Sequence, residues 1–155
     1  MQVSSAELAR YDELCKMALD FARNNDHNTL LNMIRAGFNV DFKDHRGNTL
    51  LMLACYNGSY ECAKMLLENG ASVDMKNDKG QTPLAGVCFK GYLDIVKLLV
   101  SYGANINENN GLGMTPYTFA LMFGRLEIAE YLTTQKTSLL KKLTLKILKL
   151  FKKSN

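Results

Sequence analysis

The chain is 155 residues long, 47% hydrophobic and 22% charged, with a formal net charge of +4, a composition that suits one folded domain rather than a disordered or fibrous chain. No run of about 18 apolar residues occurs, which excludes a membrane-spanning helix. The charge is split: residues 1–135 hold 12 Lys and Arg against 15 Asp and Glu, a net of −3, whereas residues 136–155 hold seven Lys and no acid, a net of +7. A nucleic-acid-binding domain carries its basic charge on the folded face, so no nucleic-acid partner is expected.

Residues Met1–Arg10 contain no basic stretch followed by an apolar run, and the chain is therefore expected to be cytoplasmic. In that reducing setting Cys15, Cys55, Cys62 and Cys88 are expected as free thiols. They form no CxxC pair, and His27 and His45 are not spaced to join them, so no metal site is expected.

From residue 37 onward the chain is periodic. Gly37, Gly70 and Gly103 are 33 residues apart, as are Gly47, Gly80 and Gly113, and Gly58, Gly91 and Gly124; Thr49, Thr82 and Thr115 keep the same step. Such a period predicts stacked copies of one supersecondary unit, at about 11–43, 44–76, 77–109 and 110–135.

Each unit reads as a turn, a short helix, a glycine stop, a second helix and another glycine. The threonines sit where a hydroxyl caps the first helical turn, and Pro83 and Pro116 follow where a missing amide hydrogen costs nothing. Gly58, Gly91 and Gly124 are placed to end the first helices, and Gly70 and Gly103 the second. Four rows, Leu51/Leu84/Tyr117, Ala54/Val87/Ala120, Ala63/Val96/Ala129 and Leu66/Leu99/Leu132, can be buried only against their own copies.

Asn77-x-x-Gly80-x-Thr82-Pro83-Leu84, then Gly91, Ile95-Val96-x-Leu98-Leu99 and Gly103-Ala104-x-Ile106-Asn107, resemble the ankyrin repeat. Units two and four fit the same frame, and unit one is a degenerate cap marked by Met33-Ile34, Gly37 and Asp41. The resemblance implies an all-α ankyrin-repeat solenoid with hairpin-like turns, acting as a non-enzymatic binder through its turn tips and concave face. One departure is clear: the family's histidine after Thr-Pro-Leu is Met52, Ala85 and Thr118 here, so its inter-repeat hydrogen bonds are lost and a less stable stack is expected. No nucleophile motif, phosphate loop or paired-carboxylate arrangement stands against the non-enzymatic reading.

In that frame the tips carry His45, Arg46, Asn48, Asp78, Lys79, Gln81, Leu112 and Met114. Tyr56, Phe89 and Met122 stand 33 residues apart at helix positions that face solvent in the family, which predicts an apolar row along the groove. Phe123 extends the row, Arg23 and Lys90 border it, and Asn57 is a further variable position of the same groove. The alternative is that these are helix-end residues packing on neighbouring turns. Cys55 and Cys88 are expected as small buried residues, and His45 as solvated.

The chain is also similar to small bacterial ankyrin proteins that accompany catalase, a group associated with assisting the enzyme and handling its haem. That resemblance implies catalase as a partner protein and haem as a cofactor, with Tyr56 as axial ligand. Phe89 and Met122 would then cover the macrocycle, and Lys90 and Arg23 would meet its propionates.

The repeat frame fails at Lys136, where units two and three have Gly70 and Gly103. Residues 136–155 are read as a basic amphipathic C-terminal helix: at 100° per residue, Leu139, Leu140, Leu143, Ile147, Leu150 and Phe151 share an arc of about 120°, and most lysines lie opposite. Two readings stand. The helix caps the apolar end of the stack, or residues 137–153 bind an anionic membrane surface or an acidic partner.

Overall fold

The computed structural model describes residues 4–110 and 112–152, with the side chains of 141, 145 and 147–152 outside the described set. The helices are α1 (Ser5–Arg23), α2 (His27–Arg35), α3 (Leu50–Tyr56), α4 (Tyr60–Glu68), α5 (Pro83–Lys90), α6 (Leu93–Ser101), α7 (Pro116–Met122) and α8 (Leu126–Lys152). Among the described residues the only extended pairing is an isolated bridge between Lys43 and Thr49. The helices form two layers: α1, α3, α5 and α7 line up as an inner row, and α2, α4, α6 and α8 as an outer row. The chain is an all-α solenoid of four helical hairpins.

The local causes are those expected. Thr49 Oγ1 accepts from the Met52 amide at 3.1 Å and Thr82 Oγ1 from the Ala85 amide at 3.2 Å, and both threonines are buried. Pro83 and Pro116 open α5 and α7. Gly91 ends α5 in the left-handed region at φ +96°, where a Cβ would lie 2.8 Å from Nε of Arg125. That nitrogen in turn donates to the Phe89 carbonyl at 3.2 Å, tying the fourth hairpin to the third.

Three of the four predicted rows are buried throughout: Ala54, Val87 and Ala120; Ala63, Val96 and Ala129; Leu66, Leu99 and Leu132. In the remaining row Leu51 and Leu84 are buried, but Tyr117 is 40% exposed. A row at this period is covered by the next copy, and among the described residues no further inner helix packs beyond α7.

Neighbouring repeats are joined by other hydrogen bonds. Asp41 accepts from the backbone amide of Ser72, and Asp74, one repeat on, accepts from that of Asn105 at 3.0 Å. Lys43 donates to the Lys76 carbonyl and Lys76 to the Asn109 carbonyl, again one repeat apart. Asn77 Nδ2 also donates to Asn48 Oδ1 at 2.9 Å, joining two turn tips. Side chains outside the helices thus stitch the units together.

The tail differs from expectation. The helix read as starting near Thr137 begins at Leu126 and runs without a break through Lys136 to Lys152. No glycine closes it, so the outer helix of the last hairpin continues. Threonines at 133, 134, 137 and 144 lie within this helix, and each hydroxyl donates to the carbonyl four residues earlier. Ile128, Ala129 and Leu132 are buried, whereas Leu139, Leu140 and Leu143 are 54%, 57% and 57% exposed. The end of the stack is therefore covered by the first turns of α8, and Leu139, Leu140 and Leu143 take no part in that cover. Ile147, Leu150 and Phe151, assigned by sequence to the same arc, have side chains outside the described set, and Lys153 lies outside the described residues.

Candidate functional site

Because α3, α5 and α7 lie side by side, residues 33 apart meet on the concave face. The innermost series is Leu53, Gly86 and Phe119, all lining one cleft. Gly86 lies inside α5 between two bulky equivalents, and the missing side chain leaves a hollow. A Cβ there would sit 3.6 Å from Cδ2 of Tyr56, an ordinary contact. The hollow opens into a cleft of about 1140 Å³ that is bounded toward the tips by residues such as His45, Arg46, Lys79 and Gln81.

The aromatic wall is built from three helices. The rings of Tyr56 and Phe89 are 6.1 Å apart and within 8° of parallel, and Phe89 meets Phe123 edge to face at 4.4 Å and 82°. The first lies within the favourable range for aromatic pairs, and the second is a close edge-to-face contact at its short limit. The Lys90 ammonium stands 4.9 Å from the centroid of the Tyr56 ring, a cation–π contact. Tyr56 and Phe123 are each 42% exposed, and Phe89 is partly buried beneath them.

Met122 departs from the anticipated row. Met122 is 65% exposed and lies outside the cleft lining; α7 ends there, and the cap residue Phe123 carries the row onward. Asn57 lines the cleft, and its side-chain nitrogen donates to the Leu53 carbonyl at 2.8 Å, closing the end of α3. Arg23 also lines the cleft, but Nη1 is paired with Asp20 at 2.8 Å. His45 lies on the tip wall.

That wall is rigid. Asp44 accepts from the amides of Arg46 at 2.8 Å and Asn48 at 2.9 Å and from the Asn48 side chain. Partial burial pushes its carboxyl upward, yet these hydrogen bonds outweigh burial and hold it below the usual value. In the next repeat Asn77 has the same role, accepting from the amides of Lys79 and Gln81 at 3.0 Å.

Cys55 and Cys88 are fully buried as expected. Burial pushes the Cys62 and Cys88 thiols up to about 12 and the Cys55 thiol up as well, which leaves them protonated and weakly nucleophilic. No group of three or more His, Cys, Asp or Glu placed to hold a metal occurs among the described residues.

The floor series Leu53/Gly86/Phe119 was missed by sequence reasoning. Its signal was present: a glycine at a position whose equivalents are large and apolar, outside the three periodic glycine series.

Matched against known families, residues 18–110 and 73–142 fit ankyrin repeats, in three copies. No curated protein matches the chain.

Proposed function

We infer a binding function from one premise: the chain belongs to the ankyrin-repeat family, whose members are generally protein-interaction modules. The protein is a non-enzymatic adaptor that holds a segment of another protein in the cleft between α3, α5 and α7. The observation that carries this is the hollow above Gly86, walled by Tyr56, Phe89 and Phe123 and rimmed by polar tips. A desolvated aromatic centre inside a polar rim is the arrangement in which a few side chains supply most of the affinity. The fitting occupant is an apolar side chain on a partner segment whose polar flanks meet His45, Arg46, Lys79 and Gln81.

The test is affinity purification from the native cell with the wild-type chain and with Tyr56→Ala and Phe89→Ala, each checked for helicity. A specific partner should lose roughly tenfold or more in affinity for each variant. A partner retained at full strength by both variants overturns the groove reading.

A second reading, haem handling in support of catalase, draws on Tyr56 itself. Its ring is exposed at the mouth of the cleft with the Lys90 cation close by, and a tyrosine oxygen is a known ligand of ferric haem. Lys90 would serve a propionate; Arg23 is already paired with Asp20, and Met122 lies outside the cleft. Hemin titration should give a Soret shift that Tyr56→Phe abolishes. An unchanged hemin spectrum with the wild-type chain sinks this reading.

A further inference from the structure

We propose that α8 beyond Gln135 is an arm that docks on an anionic lipid surface, lying in the headgroup region with its leucines buried among the acyl chains. The first observation is continuity. The helix spans 27 residues without a break, on the order of 40 Å at the standard rise, and among its described side chains the buried ones, Ile128, Ala129 and Leu132, all lie in its first turns.

The second observation is an apolar face without a cover. Leu139, Leu140 and Leu143 are all more than half exposed, and their spacing puts them on one side of the helix. Three large aliphatic side chains in water, on a segment that remains regular helix, are placed to be buried by something else.

The third observation is charge. Residues 136–155 carry seven lysines and no acid, while residues 1–135 are net −3. Two copies meeting through their leucines would bring two sets of seven positive charges together, which disfavours a self-association seam. All seven cations are lysines, flexible point charges, with no arginine fork for a defined carboxylate or phosphate geometry. Diffuse positive charge beside an aliphatic face is the pattern of an interfacial helix on anionic lipid. None of the described helices is long and apolar enough to cross a membrane, so the arm lies on the surface rather than spanning it.

The test is sedimentation of the full chain with vesicles of equal parts phosphatidylcholine and phosphatidylserine, and with vesicles of phosphatidylcholine alone. Binding should be at least tenfold stronger to the mixed vesicles and should weaken as salt is raised, because the lysine attraction is screened. Lys142→Gln combined with Lys146→Gln should weaken it by roughly 25-fold, about fivefold per lysine. Leu140→Ser combined with Leu143→Ser should weaken it by tenfold or more. These positions are exposed, so each variant should keep the far-ultraviolet signal of the stack.

Failure to sediment with the mixed vesicles overturns the proposal, as does equal binding to neutral ones. So does wild-type binding by the leucine double variant, which would leave charge attraction alone, or a wild-type dimer that this variant converts to monomer. Tyr56→Ala should bind vesicles normally, so a failed cleft and a failed arm are told apart.

Discussion

At the scale of single residues, two glycines of this chain do opposite things, and substitution separates them. Gly86 lies within helix α5 with an ordinary backbone, and its space is 3.6 Å from the nearest atom, on Tyr56. Alanine fits there and is the better helix former by up to about 1 kcal/mol, so Gly86→Ala should raise the melting temperature by about 2–4 °C while filling the floor of the cleft. Higher stability with weaker partner binding is the expected pair of results; unchanged binding would show that the hollow is not used. Gly91 is the contrary case. At φ +96°, with Arg125 at 2.8 Å, Gly91→Ala should lose about 1 kcal/mol or more to backbone strain and further stability as Arg125 leaves the Phe89 carbonyl. Gly70→Ala, at φ +87° with nothing within 4 Å, should show the strain alone, and urea titration of both reads the difference. Gly91 was legible in the sequence because it recurs at the repeat step. Gly86 was not sought, since a glycine that breaks the period falls outside a search for periodic ones.

At the scale of elements, α8 differs from its equivalents α4 and α6 by the absence of one glycine. Those helices stop at Glu68 and Ser101, just before Gly70 and Gly103 turn the chain, whereas Lys136 at the same step lets α8 run on. Lys136→Gly should weaken the junction by about 1 kcal/mol. Circular dichroism should show lost helical signal from the arm with an unchanged melting transition for the stack, because Ile128, Ala129 and Leu132 precede the substitution. A full loss of stack stability would mean that the arm supports the repeats. The sequence showed where the frame fails, yet the failure of a repeat frame is not the end of a helix. A helix ends where the chain turns out of its ladder, as at the left-handed Gly70 and Gly103, and no such residue interrupts α8 at the junction.

At the scale of the whole molecule, a stack held by neighbour contacts is no stronger than its end units. The inner helices are unequal in this respect: Leu50, Leu51, Met52, Leu53, Ala54 and Cys55 are all buried in α3, but only Pro116, Phe119 and Ala120 in α7. Periodicity made the four units legible but not this gradient, since Tyr117 shares a register with Leu51 and Leu84 and is nonetheless exposed; burial in a solenoid depends on the next unit in the stack as well as on a unit's own residues. Native-state hydrogen exchange should therefore give the greatest protection to amides of α3 and α5 and markedly less to those of α7. Leu84→Ala, at a fully buried position of α5, should cost about 2–5 kcal/mol and should lower protection in α7 more than in α1. The Arg125 bond to Phe89 and the cover over Ala120 both depend on α5 staying folded, whereas α1 retains its own contacts with α2 and α3. Equal loss of protection at both ends of the stack would instead mark one cooperative unit, in which the fourth hairpin is as firmly held as the second.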